Sequence, residues 1–355
     1  MAESLRLLEA IRQMHEAIRA AVVRRCEAQA VEELAAVAHE DEGDTIFAID
    51  KVGEALLIEH LEQAAADTPL LLLAEGLPGE GLVLPRSARA ADAVFRVLVD
   101  PIDGTRGLMY QKRPAWILTG VAPNRGPATS LRDIELAVQT EIPLVKQHAC
   151  DQLWVCGQGP VEARRIDRFT GRSRPLTPRP SRATRIEHGC VSFARFFPGA
   201  RDVLASIDEQ VTTALLGAQP AGKALCFEDQ YASTGGQLYE LMMGHDRVVA
   251  DLRPLVAPVL RQRGRALGLC CHPYDLCTAR IAEAAGVVLT DAAGAELDAP
   301  LNLEAEVAWV GYANAPLRAA FEPALRQALS DHGLLTCVEH DDAGSAPQEG
   351  SGTLE

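Results

Sequence analysis

Leu98-Val99-Asp100-Pro101-Ile102-Asp103-Gly104-Thr105 sets two carboxylates three residues apart at the end of an apolar run, residues 93–99, that reads as a buried strand ending at Asp100. Pro101 stiffens the turn between them. Gly104 permits a close backbone approach, and Thr105 is a residue type that opens helices. Such a loop aims two carboxylates and a backbone carbonyl at one point, a geometry suited to a hard, oxygen-seeking cation such as Mg²⁺. The amides of Gly104 and Thr105 would then face an anion at the helix start. An Asp-x-x-Asp pair alone is more often a surface turn after a strand. The full string Asp-Pro-Ile-Asp-Gly-Thr is far less often accidental.

Working upstream, residues 3–38 read as one or two amphipathic helices, with Leu8, Ile11, Ile18 and Val22 on one stripe. A polar break follows at 39–44. From Asp50 the pattern is helical again, with Val52, Leu56, Leu57 and Leu61 as the buried stripe. Residues 70–73 form a short buried strand ending at Glu75. Downstream, residues 116–121, 134–139 and 152–155 read as strands and 157–160 as a turn. The basic, proline-rich stretch 171–185 has no periodicity and marks a boundary between an N-terminal part, 1–176, and a C-terminal part, 185–338. In the second part, 237–243 and 276–285 read as helices, 247–250 and 287–289 as strands, and 291–294 as a turn. Residues 339–355, acidic and rich in Gly and Ser, read as a disordered tail.

The 355 residues are more than one typical domain's worth, so two domains or one large α/β unit are expected. Lys and Arg number 34 against 49 Asp and Glu, a formal net charge of −15. That charge repels phosphate backbones and anionic lipid, which argues against nucleic acid polymers and membranes as partners. An anionic substrate would need bound divalent cations beside it. The longest apolar run, 69–74, is strand-sized, and the charged N-terminus carries no signal-peptide core. The nine cysteines are odd in number and contain no C-x-x-C pair, so a reducing cytoplasm is the expected location, with Cys271 and Cys277 as buried apolar thiols.

The segment 97–105 resembles the signature of the inositol monophosphatase family, Mg²⁺-dependent, lithium-sensitive phosphomonoesterases, apart from a leading aromatic. Three further blocks lie in the family's chain order. Tyr274-Asp275-Leu276-Cys277-Thr278-Ala279 followed by Glu283-Ala284-Ala285-Gly286 resembles its W-D-x-x-A…E-A-G-G motif. Ala74-Glu75-Gly76 is a partial counterpart of its Gly-Glu-Glu, and Asp44, Asp50 and Glu54 approximate an upstream acidic pattern with Phe47 at the hydroxyl position. In outline the resemblance covers residues 5–335.

The resemblance implies an α/β fold, a layered α-β-α-β-α sandwich with an α+β N-terminal part and an α/β C-terminal part. It implies Mg²⁺, in two or three ions with Mn²⁺ able to substitute, and a small phosphorylated substrate. Many family members are homodimers. Glu75, Asp100 and the carbonyl of Ile102 would hold a first ion, and Asp100, Asp103 and Asp275 a second. A third would lean on Glu75 and water. Thr105, bonded to Asp44, would orient and help deprotonate the attacking water, with Glu75 also catalytic; Asp103, Gly104, Thr105 and Asp275 would contact the substrate. Read without the resemblance, Asp275 is most simply a helix N-cap, and Asp50 another. His188, His245 and His272 have no ligand spacing and are assigned no chemistry.

Several positions depart from the pattern. Gly76 stands where a second Glu is usual, Tyr274 replaces Trp, and Arg106-Gly107 replaces Asn-Phe. The last is similar to the Lys-Gly of the bisphosphate nucleotidase branch, but Gln237 stands where that branch has a basic residue for the second phosphate. The segment between Asp246 and Asp275 is longer than usual and carries Arg253, Arg261, Arg263 and Arg265; it reads first as a solvated basic loop, or else as a cover over a pocket for a substrate with more than one anionic group. The leading expectation is a phosphatase of inositol monophosphate. The alternatives are a 3′(2′),5′-bisphosphate nucleotidase or sugar-bisphosphatase, and a catalytically weak metal- or phosphate-binding relative.

Overall fold

The structure, a computed structural model, describes residues 2–29, 31–34, 37–41, 44–47, 49–217 and 222–335. The expected tail and Cys337 lie outside these residues. Helix α1 (Ala2–Ala28) buries Leu7, Leu8, Ile11, Met14, Ile18 and Val22, the i, i+3, i+4 stripe its sequence carries. The helical reading to residue 38 and the polar break at 39–44 are corrected. The chain instead forms α2 (Val31–Leu34) and then an antiparallel pair, β1 (Val37–Asp41) and β2 (Asp44–Phe47). Backbone pairing needs no apolar face, so no periodicity announced it. Helix α3 (Asp50–Ala64) lies against α1 and buries Gly53, Leu57 and Leu61, while Leu56 is only half-buried. A Cβ on Gly53 would lie 3.2 Å from Pro101, so α3 sits directly on the acidic loop.

The strands β3 (Leu70–Ala74), β4 (Leu82–Leu84) and β5 (Phe95–Asp103) come next, then the short helix α4 (Thr105–Met109). They are followed by β6 (Ala115–Pro123), β7 (Leu136–Ile142), β8 (Ala149–Cys156), β9 (Glu162–Asp167) and β10 (Ser173–Pro175). They make an eight-stranded sheet in the order β10-β9-β8-β7-β6-β5-β3-β4. Every neighbouring pair is antiparallel except β3 and β5. That parallel pair brings two strand C-termini side by side, and the Glu75 amide donates to the Val99 carbonyl at 3.1 Å. The stretch 171–185 is therefore not wholly a linker, since its first part supplies the edge strand β10.

The second half contributes β11 (Gly189–Phe193), α5 (Arg201–Leu216), β12 (Cys226–Phe227), α6 (Thr234–Met242) and β13 (Asp246–Asp251). It continues with α7 (Ala257–Gln262), α8 (Ala279–Ala284), β14 (Val288–Thr290), β15 (Trp309–Tyr312) and α9 (Ala315–Asp331). Its five strands run β12-β11-β13-β15-β14. Helices α6 and α8 lie between the two sheets, touching β6, β7 and β8 on one side and β13, β14 and β15 on the other. Helices α1 and α3 cover the far face of the large sheet, and α5 and α9 the far face of the small one. The result is a five-layer α-β-α-β-α sandwich. One apolar core runs through its middle layers, joining Trp116 and Leu118 to Leu238, Leu241, Val249 and Trp309. No helix among the described residues is long and apolar enough to cross a membrane.

His15 pins α1 to the centre of the large sheet. Its ring nitrogens bond the hydroxyls of Thr140 at 2.9 Å and Thr119 at 2.8 Å, and the side chain is fully buried. Burial, with a smaller contribution from Arg19, pushes the imidazole down from 6.5 to about 3. The unfolded chain therefore takes up a proton that the folded chain refuses. Stability is full above pH 6.5 and falls as the pH drops toward 3. At about 1.4 kcal/mol per pH unit, the loss attributable to His15 between pH 6 and pH 4 is about 2–3 kcal/mol. Urea unfolding of wild type and His15→Gln at both pH values checks this; equal slopes in the two proteins would remove His15 from the account.

Candidate active site

Asp100 and Asp103 are an odd number of residues apart, and in a regular strand they would face opposite sides of the sheet. The register of β5 on β6 corrects this. Asp100 stands opposite Leu118 and Asp103 opposite Trp116, so three steps on β5 match two on β6. The extra residue is a bulge at 101–102, which re-aims both carboxylates to one side. The expected strand end at Asp100 is thus extended to Asp103. Inside the bulge the Ile102 amide donates to Asp100 Oδ1 at 2.9 Å, and the Thr105 hydroxyl donates to the Ile102 carbonyl at 2.8 Å. Gly104 has φ +91°, and a Cβ there would come within 2.9 Å of Ser233 Cβ. Glycine is needed both for the turn and for the close approach of the second half.

That second half grips Asp103. The Ser233 hydroxyl donates to Asp103 Oδ2 at 2.7 Å, the Gly235 amide to Oδ2 at 2.6 Å and the Thr234 amide to Oδ1 at 3.3 Å. Asp103 therefore takes the amides at the start of α6, while Ser233 itself caps the helix by accepting from Gly236. Asp275 arrives differently. Helix α8 begins at Ala279 rather than near 276, after turns closed by i→i+3 bonds from Leu276 to Pro273 and from Ala279 to Leu276. Thr278, not Asp275, holds its N-cap position. Asp275 Oδ2 accepts the His272 amide at 2.6 Å instead. Buried Gln139 on β7 ties both segments down, donating to the Gly235 carbonyl at 2.8 Å and accepting from Thr278 at 3.1 Å.

Three carboxylates meet as a result. Asp100, Asp103 and Asp275 each offer an oxygen within 4.8 Å of the others. Glu75, half-buried, lines the same cavity. Asp100 is 1 % exposed and its carboxyl is held well above the usual range, first by burial and then by Glu75, Asp103 and Asp275. Asp275 is raised by burial, Asp103 and Glu75. Asp103 is pushed up to about 6 by burial, its bonds to Ser233, Gly235 and Thr234 opposing the rise. Two oxygens on one Mg²⁺ lie at most ~4.2 Å apart, so small adjustments bring this set into an ion's coordination sphere. The donor set is all oxygen, crowded and buried, and it fits hard divalent cations. The cavity encloses about 70 Å³, room for a few waters.

Glu75, Asp100, Ile102, Asp103, Gly104, Thr105 and Asp275 thus all border one cavity. The Asp44 and Asp50 side chains lie outside the described residues, though Asp44 begins β2. Glu54 is half-buried on α3 and does not border the cavity. Gly76 has φ +81°, a conformation in which the family's usual Glu would be strained. Gln237 is buried within α6, away from the cavity. Cys271 and Cys277 are buried free thiols, as expected.

The solvated-loop reading is corrected for Arg253. Arg261, Arg263 and Arg265 are exposed, but Arg253 is buried and lines the cavity with Arg106, Phe196 and Phe197. Its guanidinium forks onto Asp251, with Nε to Oδ1 at 2.8 Å and Nη2 to Oδ2 at 2.5 Å, and donates from Nη1 to the Leu269 carbonyl at 3.0 Å. Sequence reasoning did not anticipate Ser233, Gln139 or the Phe pair as site residues. For Ser233 a signal existed, since Ser-Thr-Gly-Gly before a helical run marks an N-cap with open amides. For the others there was none.

Comparison of the sequence with protein-family models and with curated proteins gives no match. Comparison of the structure does. Fructose-1,6-bisphosphatase from Leishmania major in holo form superposes with a TM-score of 0.65 at 13% identity, over 92% of this chain and 95% of that one. The extragenic suppressor protein SuhB of Bartonella henselae gives 0.59 at 14% identity, over 90% and 98%. An IMPase from Thermotoga maritima gives 0.55 at 11% identity, over 91% and 99%. These neighbours belong to the inositol monophosphatase/fructose bisphosphatase superfamily, and the chain has their layered fold along nearly its whole length.

Proposed function

We propose that this chain is a Mg²⁺-dependent phosphatase that hydrolyses a small phosphomonoester with water, inositol monophosphate being the substrate its sequence resemblance favours. One observation carries the reading: three acidic side chains, 100, 103 and 275, come from both halves of the chain to within 4.8 Å of one another. Unbalanced, such a cluster is costly to bury, and it persists in folds that put cations there. Glu75, Asp100, Asp103, Asp275 and the Ile102 carbonyl would hold Mg²⁺, or Mn²⁺ in its place. Bound there, the ions would supply charge neutralisation at the phosphoryl group and a lowered pKa for water. Thr105, its hydroxyl fixed on the Ile102 carbonyl, would orient the attacking water together with Asp44. Asp103, fixed by Ser233 and the start of α6, cannot swing out of the cavity.

A second reading, a bisphosphate nucleotidase or sugar-bisphosphatase, is favoured by Arg253 in the cavity wall. Phosphate release from inositol 1-phosphate, adenosine 3′,5′-bisphosphate and fructose 1,6-bisphosphate, each with Mg²⁺ and with EDTA, tests both. The expected result is turnover of at least one ester that EDTA abolishes. Tight metal binding with no turnover of any monoester would replace the enzyme with a non-catalytic relative.

A further inference from the structure

A second cleft opens beside the outer strands of the large sheet. It holds about 700 Å³ and shares no lining residue with the acidic cavity. A charge ladder across three strands forms its wall. Asp151 on β8 stands opposite Arg165 on β9, and Arg165 opposite Arg174 on β10, so the three side chains leave one face of the sheet. Arg172, two residues before Arg174, lines the same cleft. Two like charges directly opposite one another destabilise a sheet. Asp151 does not relieve the pair. It is 1 % exposed and already accepts from Arg165 Nε at 2.8 Å, Arg165 Nη2 at 2.7 Å and the Tyr239 hydroxyl at 2.5 Å. The fork fixes Arg165 and leaves its Nη1 without an acceptor among the described residues. Arg172 and Arg174 are exposed and make no side-chain hydrogen bond or ion pair among the described residues. The other acids at the cleft are engaged. Glu141 accepts from Gln147 and from the Asp151 amide, and Asp167 Oδ1 from the amides of Phe169 and Thr170, with His148 nearby. Three guanidinium groups with unfilled donors thus border one concave site, on a chain of formal net charge −15.

We propose that this cleft binds a small phosphate ester, its phosphoryl group held among Arg165, Arg172 and Arg174. A phosphoryl group offers three strong acceptor oxygens, enough to meet several guanidinium groups, and the bonds are charge-assisted. Arg165, already fixed by its fork, loses little entropy on meeting it. The cleft falls in the ~300–1,000 Å³ range of small-molecule sites, so an organic body has room beside the phosphate. Arginines on an edge strand also guard against edge-to-edge pairing. Charge pointing into water satisfies that role, which needs neither a concavity nor a guanidinium clamped on a buried aspartate.

Titration calorimetry of the full chain in EDTA tests this, because the metal-free acidic cavity repels phosphate and metal-dependent turnover is absent. The probes are glycerol 3-phosphate, ribose 5-phosphate and glucose 6-phosphate, with inorganic phosphate and glucose for comparison. Arg172→Ser/Arg174→Ser removes two exposed charges and spares the Arg165–Asp151 fork, so it should melt no lower than wild type. At least one ester is expected to bind wild type more tightly than inorganic phosphate does, with no binding of glucose. The double variant should lose on the order of tenfold to hundredfold of that affinity. Arg172→Lys/Arg174→Lys keeps the charge without the planar fork and should fall between them. The assignment is overturned if no ester binds wild type, if the serine variant binds as tightly, or if inorganic phosphate binds as tightly as every ester.

Discussion

Asp275→Asn is expected to abolish turnover and, without metal, to raise the melting temperature. The two effects have one cause. Asp275 faces Asp103 and Glu75, and its carboxyl is held well above the ordinary range by burial and by those neighbours. Ionising it in the metal-free protein works against like charge in a site partly cut off from water. Asparagine keeps the shape and removes the charge, so the metal-free fold gains. The same change takes the negative charge from one of the three carboxylates that approach within 4.8 Å. Activity should drop on the order of 10³-fold, the scale on which loss of a fixed charge-stabilising group acts in a buried site. The rise in melting temperature on adding Mg²⁺ or Mn²⁺, an expression of ligand linkage, should shrink with it. Thermal melts of both proteins with EDTA and with each metal decide the matter. A variant that melts lower than wild type in EDTA would show that Asp275 is a structural acceptor for His272 and little else.

Gly120→Val is the second large effect, and it acts through packing against the segment that carries Asp275. Gly120 sits mid-strand in β6, and a Cβ there would lie 2.6 Å from the Cys277 carbonyl, 2.8 Å from Ile134 Cδ1 and 3.0 Å from Cys277 Cβ. The nearest obstacle is backbone, which cannot rotate aside. Either β6 or the turn carrying Asp275 must move. Overpacking of this kind costs about 1–3 kcal/mol, with a β-branched residue at the upper end. Because Cys277 is two residues from Asp275, stability and metal affinity should fall together. Calorimetric melts and Mn²⁺ titration of the same preparation check the pairing. A destabilised variant with unchanged Mn²⁺ affinity would uncouple the packing contact from the acidic cluster.

What the sequence conveyed and what it hid divide along a physical line. The stripe of α1, the strand before Asp100 and the acidic blocks around 75, 100–105 and 275 are local patterns, visible because neighbours in sequence share an environment. The β1–β2 pair was invisible because its stability lies in backbone bonds. The bulge at 101–102 was invisible because register belongs to two strands at once, although the three-residue spacing of the aspartates already required some break in alternation. The burial of Arg253 is hidden for a related reason. A single arginine among others in a polar stretch looks solvated, and only the fold shows Asp251 and two phenylalanines closing around it. His15 hid similarly, since the hydroxyls that hold it lie 104 and 125 residues away.

Asp103 also decides how a ligand gets in and out. Because Ser233, Thr234 and Gly235 all bond it, separating the two halves means baring a buried carboxylate and the first amides of α6 together. A hinge there would be among the costliest places to open the molecule. Traffic is therefore expected past the side chains of Arg106, Phe196 and Phe197, which border the cavity, with the seam itself staying shut. Amide hydrogen exchange at Thr234 and Gly235 should remain as slow during steady turnover as at rest, and faster exchange would mean that the halves do part.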